Sequence, residues 1–316
     1  MNQLAFIFPG QGSQSVGMMG ALAAEFDCVK ERFGEASEAV GIDLWTLAND
    51  GPPEELNLTA NTQPALLAAS VATWDIWRTC GGPEPAYMAG HSFGEYSALV
   101  CAGALEFSSA ARLVAARGRF MQAAVPAGEG AMAAVLGLEL GELEQICEEF
   151  NAGDMICACA NLNAPGQIVI AGSTAAVDQA CSAAKARGAK RAMILPVSAP
   201  AHCALMAPAA AQLGEELASL DINAPRFKII HNVDVSSHTD ANEIRNALIG
   251  QMTAPVRWIE TIELIQSSGV TQLIECGPGK VLSGLVKRIT KDLSCANIGD
   301  AESVRNQIEK VGEMNA

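Results

Sequence analysis

A glycine-flanked serine has the clearest potential for chemistry in this chain. The pentapeptide Gly90-His91-Ser92-Phe93-Gly94 lies between a short apolar run and a helical pattern. A Gly-x-Ser-x-Gly sequence in this setting is typical of a nucleophile elbow, in which the serine hydroxyl stands at a helix N-terminus. Backbone N–H groups there stabilise developing negative charge. A tight strand-to-helix turn with a serine N-cap is the competing interpretation.

A serine nucleophile needs a general base, and the chain has only four histidines. His91 adjoins the serine, so we expect its side chain to point away from the hydroxyl. His231 ends a predicted strand, and His238 lies in a polar loop. His202 follows a proline-containing turn at residues 198–201, just before a predicted helix and at a predicted domain boundary. A side chain in that place reaches a cleft, so His202 is the predicted base.

The glycine-rich segment at residues 10–14 follows an apolar strand pattern and precedes a helical one. It lacks the Gly-Lys-Ser/Thr ending of a phosphate loop. Two interpretations stay open at this point. The segment is either an ordinary turn, or a loop whose Gln11 amide forms an oxyanion hole together with the amide of Phe93.

Arginine and lysine residues suggest two binding features. Arg117 lies on a mostly apolar helical stretch, where burial requires an anionic partner, and its planar guanidinium suits a carboxylate. Arg112 and Arg119 are interpreted as solvent-facing. A separate set of cations in residues 185–191 and 280–291 is either a solvated helix end or a docking patch for an acidic partner. The candidate docking residues are Lys185, Arg187, Lys190, Arg191, Lys287 and Arg288.

Composition excludes several classes of function. The 316 residues are half apolar and carry a formal net charge of −15, which argues against nucleic acid as a partner. The ten cysteines show neither a Cys-x-x-Cys pair nor zinc spacing, which indicates a reduced, cytoplasmic protein without a metal site. The N-terminus lacks a signal-peptide pattern, and no apolar run is long enough to span a membrane.

The elements that must position these residues alternate between strand and helix patterns, which predicts a mainly parallel sheet covered on both faces. Over residues 131–197 the order strand, helix, strand, strand, helix, strand predicts a ferredoxin-like subdomain. We therefore expect a large domain at 1–127 and 198–316, with a small domain at 128–197. The other predicted strands are 4–8, 227–231 and 271–276. The other predicted helices are 18–40, 63–77 with Pro64 in its first turn, 203–219, 254–268 and one from residue 280, and residues 95–122 are predicted to form one helix or two in succession.

Seven segments, in order along the whole chain, resemble those of the malonyl-CoA:acyl-carrier-protein transacylase family of fatty-acid synthesis. Together with the element order, the resemblance implies an α/β fold. An α/β-hydrolase-like large domain with a mainly parallel sheet would carry an inserted ferredoxin-like (βαββαβ) subdomain. The segments are FPGQGS at 8–13, TQP at 62–64, GHSFGE at 90–95, RGR at 117–119, NLNAPGQ at 161–167, VSAPAH at 197–202 and ECGPGK at 275–280.

The resemblance implies roles for the residues at matching positions. Ser92 is the nucleophile and His202 its general base, oriented by the backbone carbonyl of Gln251. A carbonyl in that place removes the need for a triad aspartate. Gln11 and Phe93 supply the oxyanion hole, although leucine is commoner than Phe93 in the family.

Substrate recognition is implied in the same way. Arg117 pairs with the free carboxylate of malonate, and Asn163 and Gln63 are further substrate-binding candidates. Ala199 and Ala201 replace the valine and serine often found before the histidine, and together with Phe93 these changes near the pocket bear on fine acyl selectivity. The choice between malonyl and methylmalonyl groups stays open.

The implied reaction is a ping-pong transfer of malonyl from malonyl-CoA, through a malonyl-serine ester, to the phosphopantetheine thiol of acyl carrier protein. No bound cofactor, metal, nucleic acid or membrane is implied, and we expect a monomer. The carrier protein is acidic like this chain, so docking must use local basic patches. Whether the pathway makes fatty acids or polyketides stays open.

Two other functions compete with this reading. A serine esterase or thioesterase would use the same serine–histidine pair with an acidic triad member. Asp154 and Asp178 lie in the interval where that acid normally occurs, but inside the predicted subdomain. A catalytically silent module that docks carrier protein is the remaining alternative.

Overall fold

Two β-sheets organise the chain in the computed structural model, which describes residues 3–153, 155–197 and 199–315. Parallel strands build one sheet and antiparallel strands the other. The strands of this described part are β1 Leu4–Phe8, β2 Tyr87–Gly90, β3 Gly130–Leu136, β4 Cys157–Ala164, β5 Gln167–Ser173, β6 Arg191–Ile194, β7 Lys228–Ile230, β8 Gln272–Glu275 and β9 Ser294–Asn297.

Helices cover the sheets and connect the strands. Within the described residues, none of them is both long and apolar enough to cross a membrane. They are α1 Gly20–Ala23, α2 Cys28–Val40, α3 Leu44–Asp50, α4 Pro53–Leu56, α5 Thr59–Thr79, α6 Gly94–Cys101, α7 Phe107–Ala123, α8 Leu140–Glu149, α9 Thr174–Ala186, α10 Ala207–Ala218, α11 Ala241–Gln251, α12 Trp258–Ser267, α13 Val281–Ile289 and α14 Ala301–Asn315, with a 3-10 turn at Ala204–Met206.

The larger sheet has the strand order β7-β2-β1-β8-β9, and every neighbouring pair is parallel. Strand β1 is buried along its whole length because both faces of the sheet are covered. Phe6 and Phe8 belong to a core shared with α5 and α7, whereas Ala5 and Ile7 pack on the opposite face in a core shared with α12 and α13. The predicted parallel sheet is confirmed.

The smaller sheet is antiparallel, with the order β4-β5-β3-β6. Its elements follow the predicted order strand, helix, strand, strand, helix, strand, and α8 and α9 pack against it through a separate apolar core. The ferredoxin-like arrangement is therefore confirmed. The exact boundaries after residues 127 and 197 stay a prediction.

A backbone connection joins the smaller sheet to the segment between α11 and α12. The Val256 amide donates to the carbonyl of Ala160 over 2.9 Å, and the Leu162 amide donates to the carbonyl of Val256 over 2.9 Å. Strand β4 is thereby held beside the carboxyl ends of the parallel strands. In an open parallel sheet these ends form the usual binding crevice.

Some local predictions were wrong in detail. The helical pattern over 18–40 forms two helices, because the chain turns at residues 24–27 and Phe26 packs partly against the core. Pro64 is not in the first turn of its helix. Helix α5 begins at Thr59, and its start is held by the Thr62 hydroxyl, which donates to the Leu56 carbonyl over 2.6 Å. Helix α11, which ends at the candidate site, was not predicted.

Candidate active site

Ser92 lies in a strained strand-to-helix elbow between β2 and α6. Its φ of 51° is in the left-handed region, which is costly for a residue other than glycine. The flanking glycines are required by close approach. A Cβ at Gly90 would lie 1.9 Å from the carbonyl carbon of Gly94, and one at Gly94 would lie 2.2 Å from the oxygen of Phe8. The pentapeptide therefore has the glycines that its turn demands.

His202 contacts the serine directly. The Ser92 hydroxyl and His202 Nε2 are 2.6 Å apart, and His202 Nδ1 lies 2.8 Å from the backbone carbonyl of Gln251. Because a carbonyl only accepts, Nδ1 carries the proton and Nε2 is free to accept one from the serine. Burial, followed by the nearby positive charge of Arg117, lowers the pKa of His202 to about 3. The imidazole is therefore neutral at pH 7.

The other histidines are engaged elsewhere. His91 Nε2 is 2.7 Å from Asn163 Oδ1, and both residues line the cavity described below. His231 contacts Glu95, and His238 contacts Asp234. His202 is thus the histidine that the fold brings to the serine.

The carboxylate that a hydrolase triad requires is not at this histidine. A backbone carbonyl occupies the partner position of His202 Nδ1. Asp178 is exposed on α9, on the smaller sheet's helical layer, and Asp154 lies outside the described residues.

The serine and histidine open into a cavity of about 420 Å³ between the two sheets. One wall comes from the elbow, the glycine-rich loop and α7, and the other comes from the smaller sheet and α13. Its lining includes Gln11, His91, Ser92, Phe93, Arg117, Met121, Asn163, Gln167, Ala199, Ala201, His202, Val281, Leu282 and Leu285.

The glycine-rich loop is held beside the serine. The Gln11 side chain donates to the Thr59 hydroxyl over 3.0 Å, and the Ser13 hydroxyl donates to the Gly10 carbonyl over 2.8 Å. Within the described part of the chain, the backbone amides of Gln11 and Phe93 have no hydrogen-bond acceptor. Both residues line the cavity, so their amides are available to a ligand.

Arg117 is a buried cation at the cavity wall. Its exposed fraction is 1%, its Nη2 donates to Gln251 Oε1 over 3.1 Å, and its guanidinium lies 5.5 Å from the ring centre of Tyr96. Burial lowers its pKa. Among the described residues no carboxylate forms an ion pair with it, and its Nε has no partner. Arg112 and Arg119 on the same helix are exposed, as predicted.

The two further substrate-binding candidates, Asn163 and Gln63, differ in position. Asn163 lines the cavity and contacts His91. Gln63 is fully buried and does not line the cavity. Its amide instead donates to the sulfur of Met121, a cavity residue, over 3.6 Å.

Two residues that sequence reasoning missed hold the elbow from below. Asn232 accepts the Ser92 amide at Oδ1 and donates from Nδ2 to the Gly90 carbonyl, each over 2.7 Å. Glu95 is completely buried beneath it. Two signals could have found them. Asn232 follows a parallel strand at its carboxyl end, and Glu95 is an acidic residue in an apolar helix.

The candidate docking cations are exposed, and several converge on one end of the smaller sheet. Arg191 on β6 and Gln167 on β5 both pair with Leu136 of β3. Arg288 of α13 donates to the Gln167 side chain. Arg187 differs from this group, because it forms an ion pair with Glu149.

Comparison with known proteins agrees with this arrangement. The acyl transferase domain family matches residues 5–314. The malonyl CoA-acyl carrier protein transacylase of Salmonella typhimurium is 54% identical over 300 residues, which are 95% of this chain and 97% of that protein.

Solved structures with about half of their residues identical to this chain have the same fold. The malonyl CoA-acyl carrier protein transacylase of Coxiella burnetii superposes with a TM-score of 0.97 at 49% identity, over 98% of each chain. A malonyl-transacylase solved in complex with a type II PKS acyl-carrier protein gives a TM-score of 0.96 at 51% identity, over 98% of this chain and 99% of that one. The predicted fold class is confirmed. The chain belongs to the acyl transferase domain family, among the malonyl CoA-acyl carrier protein transacylases.

Proposed function

We propose that this enzyme transfers the malonyl group of malonyl-CoA to the phosphopantetheine thiol of acyl carrier protein, through an ester on Ser92. One observation supports this proposal more strongly than any other. A serine–histidine pair and a buried arginine without a carboxylate partner line the same cavity. The first can form an acyl ester, and the second selects an acyl group that bears its own carboxylate.

In the first half-reaction the Ser92 oxygen attacks the thioester carbonyl while its proton passes to His202 Nε2. The carbonyl of Gln251 holds the imidazole in the required tautomer and stabilises the imidazolium that forms. The free amides of Gln11 and Phe93 are proposed to stabilise the oxyanion. Collapse of the tetrahedral intermediate breaks the carbon–sulfur bond, and His202 returns its proton to the departing CoA thiolate.

The second half-reaction uses the same groups in the reverse sense. The carrier-protein thiol gives its proton to His202, and its sulfur attacks the ester carbonyl. The carbon–oxygen bond to Ser92 then breaks, and His202 reprotonates the serine. Val281, Leu282 and Leu285 of α13 give the cavity an apolar wall beside this path. Every step uses groups of this chain and the two substrates, and we propose that no bound cofactor takes part.

Arg117 is proposed to choose the acyl group. Its Nη2 already donates to Gln251, and its Nε has no partner among the described residues. A malonyl carboxylate in the cavity would supply the missing anion. Asn163 is proposed to contribute from the opposite wall, and Gln63 to act through its contact with Met121.

Docking of the carrier protein is proposed at the end of the smaller sheet where cations converge. Arg191 and Gln167 lie two strands apart, about 10 Å by ordinary strand spacing, and Arg288 contacts Gln167. Gln167 also lines the cavity. An acidic partner held there would be next to the cavity entrance. Lys185, Lys190 and Lys287 are exposed and extend this set, whereas Arg187 is already paired with Glu149.

We also propose a cytoplasmic location and a monomeric enzyme. All ten cysteines are unpaired, which suits a reducing compartment. Ser92, His202 and Arg117 line one cavity of one chain, so no second copy is needed to complete the site.

The test is acyl-enzyme formation measured by mass spectrometry after mixing with malonyl-CoA. We expect one malonyl group on the peptide that contains Ser92, and its loss when acyl carrier protein is added. Ser92→Ala abolishes the label. Ser97→Ala is the matched control, because Ser97 is a buried serine of α6 whose hydroxyl has no partner among the described residues.

Three outcomes would reject the proposal. The label lies on another residue, or the ester does not transfer to carrier protein. Rapid hydrolysis of malonyl-CoA without carrier protein would instead support the esterase alternative.

A further inference from the structure

A buried carboxylate–imidazole pair lies directly beneath the Ser92 elbow. Glu95 in the first turn of α6 and His231 at the end of β7 are both completely buried, and Glu95 Oε1 is 2.7 Å from His231 Nδ1. Burying a carboxylate is costly unless its oxygens are well hydrogen-bonded. The proposed reaction steps do not use this pair. Its hydrogen-bond partners indicate what else it does.

The second oxygen of Glu95 holds two amide groups that reach the reacting residues. Glu95 Oε2 accepts the Asn232 backbone amide over 3.0 Å and the Gln251 side-chain amide over 2.8 Å. Asn232 fixes the elbow through Ser92 and Gly90, as described above. The Gln251 amide also donates to the Ser92 carbonyl over 3.1 Å, while the Gln251 backbone carbonyl orients His202.

Both reacting residues need such support because their backbones are strained. Ser92 has a φ of 51° and His202 a φ of 63°, and each conformation costs about 1 kcal/mol or more in a residue with a side chain. Strain of this kind persists only where surrounding contacts over-determine it. The contacts that hold the elbow and the imidazole meet at the Glu95 carboxylate.

We propose that Glu95 is a positioning residue, whose carboxylate fixes Gln251 and Asn232 and thereby holds Ser92 and His202 in reacting geometry. The inference rests on the proposed function only in taking this serine–histidine pair as the reacting one. The role of Glu95 is geometric, so an uncharged side chain of the same shape should preserve it. In Glu95→Gln the amide oxygen can still accept from Asn232 and Gln251, and the amide nitrogen can donate to Nδ1 of a neutral His231.

The experiment measures the reactivity of Ser92 apart from malonyl transfer. Phenylmethanesulfonyl fluoride sulfonylates an activated serine: the oxygen–sulfur bond forms, fluoride leaves, and the serine proton passes to the histidine. We compare its second-order rate, followed by mass at Ser92, with kcat and KM for malonyl transfer and with the thermal midpoint. Asp75→Asn is the control, because Asp75 is a carboxylate of the same domain that pairs with Arg32 away from the cavity.

Glu95→Ala is expected to slow sulfonylation and to lower kcat, each by roughly ten- to a hundredfold, because the two supporting hydrogen bonds from Asn232 and Gln251 are lost. Glu95→Gln should stay within about threefold of the parent in both measurements. Asp75→Asn should leave both unchanged. If Glu95→Ala lowers the thermal midpoint but keeps the sulfonylation rate, or if Glu95→Gln is as slow as Glu95→Ala, the proposal is wrong.

Should Glu95→Ala fail to fold, Gln251→Met gives the decisive result. This nearly isosteric change keeps the carbonyl that orients His202 but removes the side-chain amide, whose nitrogen joins Glu95 to Ser92 and whose oxygen accepts from Arg117. We expect sulfonylation about tenfold slower, and an unchanged rate would overturn the proposal. If these expectations hold while no variant or parent transfers malonyl, the proposed function fails and the positioning role stands.

Discussion

Replacing Arg117 by methionine tests the origin of acyl selectivity. Methionine is unbranched and apolar, so it fills most of the arginine's space while removing the charge. The parent guanidinium is buried at 1% exposure and has no carboxylate partner among the described residues. In Arg117→Met a bound malonyl carboxylate would itself become an unpaired buried charge.

The size of the effect follows from that burial. Removing one partner of a buried ion pair costs about 3 to 5 kcal/mol, which corresponds to roughly 10²- to 10⁴-fold in kcat/KM for malonyl-CoA. An acetyl group has no carboxylate and should not suffer this loss. The charge of Arg117 is also one cause of the low pKa of His202, so its removal makes the base stronger. We therefore expect kcat/KM for acetyl-CoA to be unchanged or raised.

The assay is acyl-enzyme formation from malonyl-CoA and acetyl-CoA in parallel, with the thermal midpoint as a third measurement. Arg119→Met is the matched control, because Arg119 lies two residues further along the same helix and is exposed. The midpoint of Arg117→Met should not fall. Burying an unpaired cation costs several kcal/mol, whereas its hydrogen bond to Gln251 contributes only about 1 kcal/mol.

Two results would refute this reasoning. A malonyl kcat/KM within about threefold of the parent would show that Arg117 does not bind the carboxylate. An equal loss for acetyl-CoA would show that Arg117 acts on the step common to both substrates, through its contact with Gln251.

Two further predictions concern stability and docking. Because burial lowers the pKa of His202 from its ordinary 6.5 to about 3, the unfolded chain binds this proton below pH 6.5 while the folded chain does not. The contribution of His202 to the free energy of unfolding therefore falls by about 2 kcal/mol between pH 7 and pH 5. In denaturant titrations at these two pH values, the free energy of unfolding of His202→Gln should fall by about 2 kcal/mol less than that of the parent. An equal acid sensitivity in both proteins would contradict this. The paired change Arg191→Glu with Arg288→Glu should raise KM for acyl carrier protein about tenfold and weaken its salt dependence, whereas Lys30→Glu on α2 should not. An unchanged KM would exclude this surface.

Local patterns in the sequence were sufficient for much of the fold. Alternating strand and helix patterns predicted the parallel sheet and the four-stranded subdomain, because burial on one or two faces leaves a periodic signature in a short segment. The elbow was also readable, since the close approach around Gly90 and Gly94 permits no side chain. The sequence did not predict the limits of α5 or the break between α1 and α2, because both depend on contacts with distant segments.

The sequence by itself identified which residues could react, because residue type and local pattern are both visible in it. It shows a serine between two glycines, a histidine after a turn and an arginine on an apolar helix. Only the tertiary structure decided which of them meet. Ser92 and His202 are 110 positions apart yet 2.6 Å from each other, and Arg117 reaches Gln251 across 134 positions. No pattern in the sequence predicts that Glu95, His231 and Asn232 contact one another. Their contacts form only because the ends of α6, β7 and α11 pack together. The periodicity of apolar residues indicates on which face of its own helix or strand a residue lies, whereas a site depends on how the helices and strands pack together.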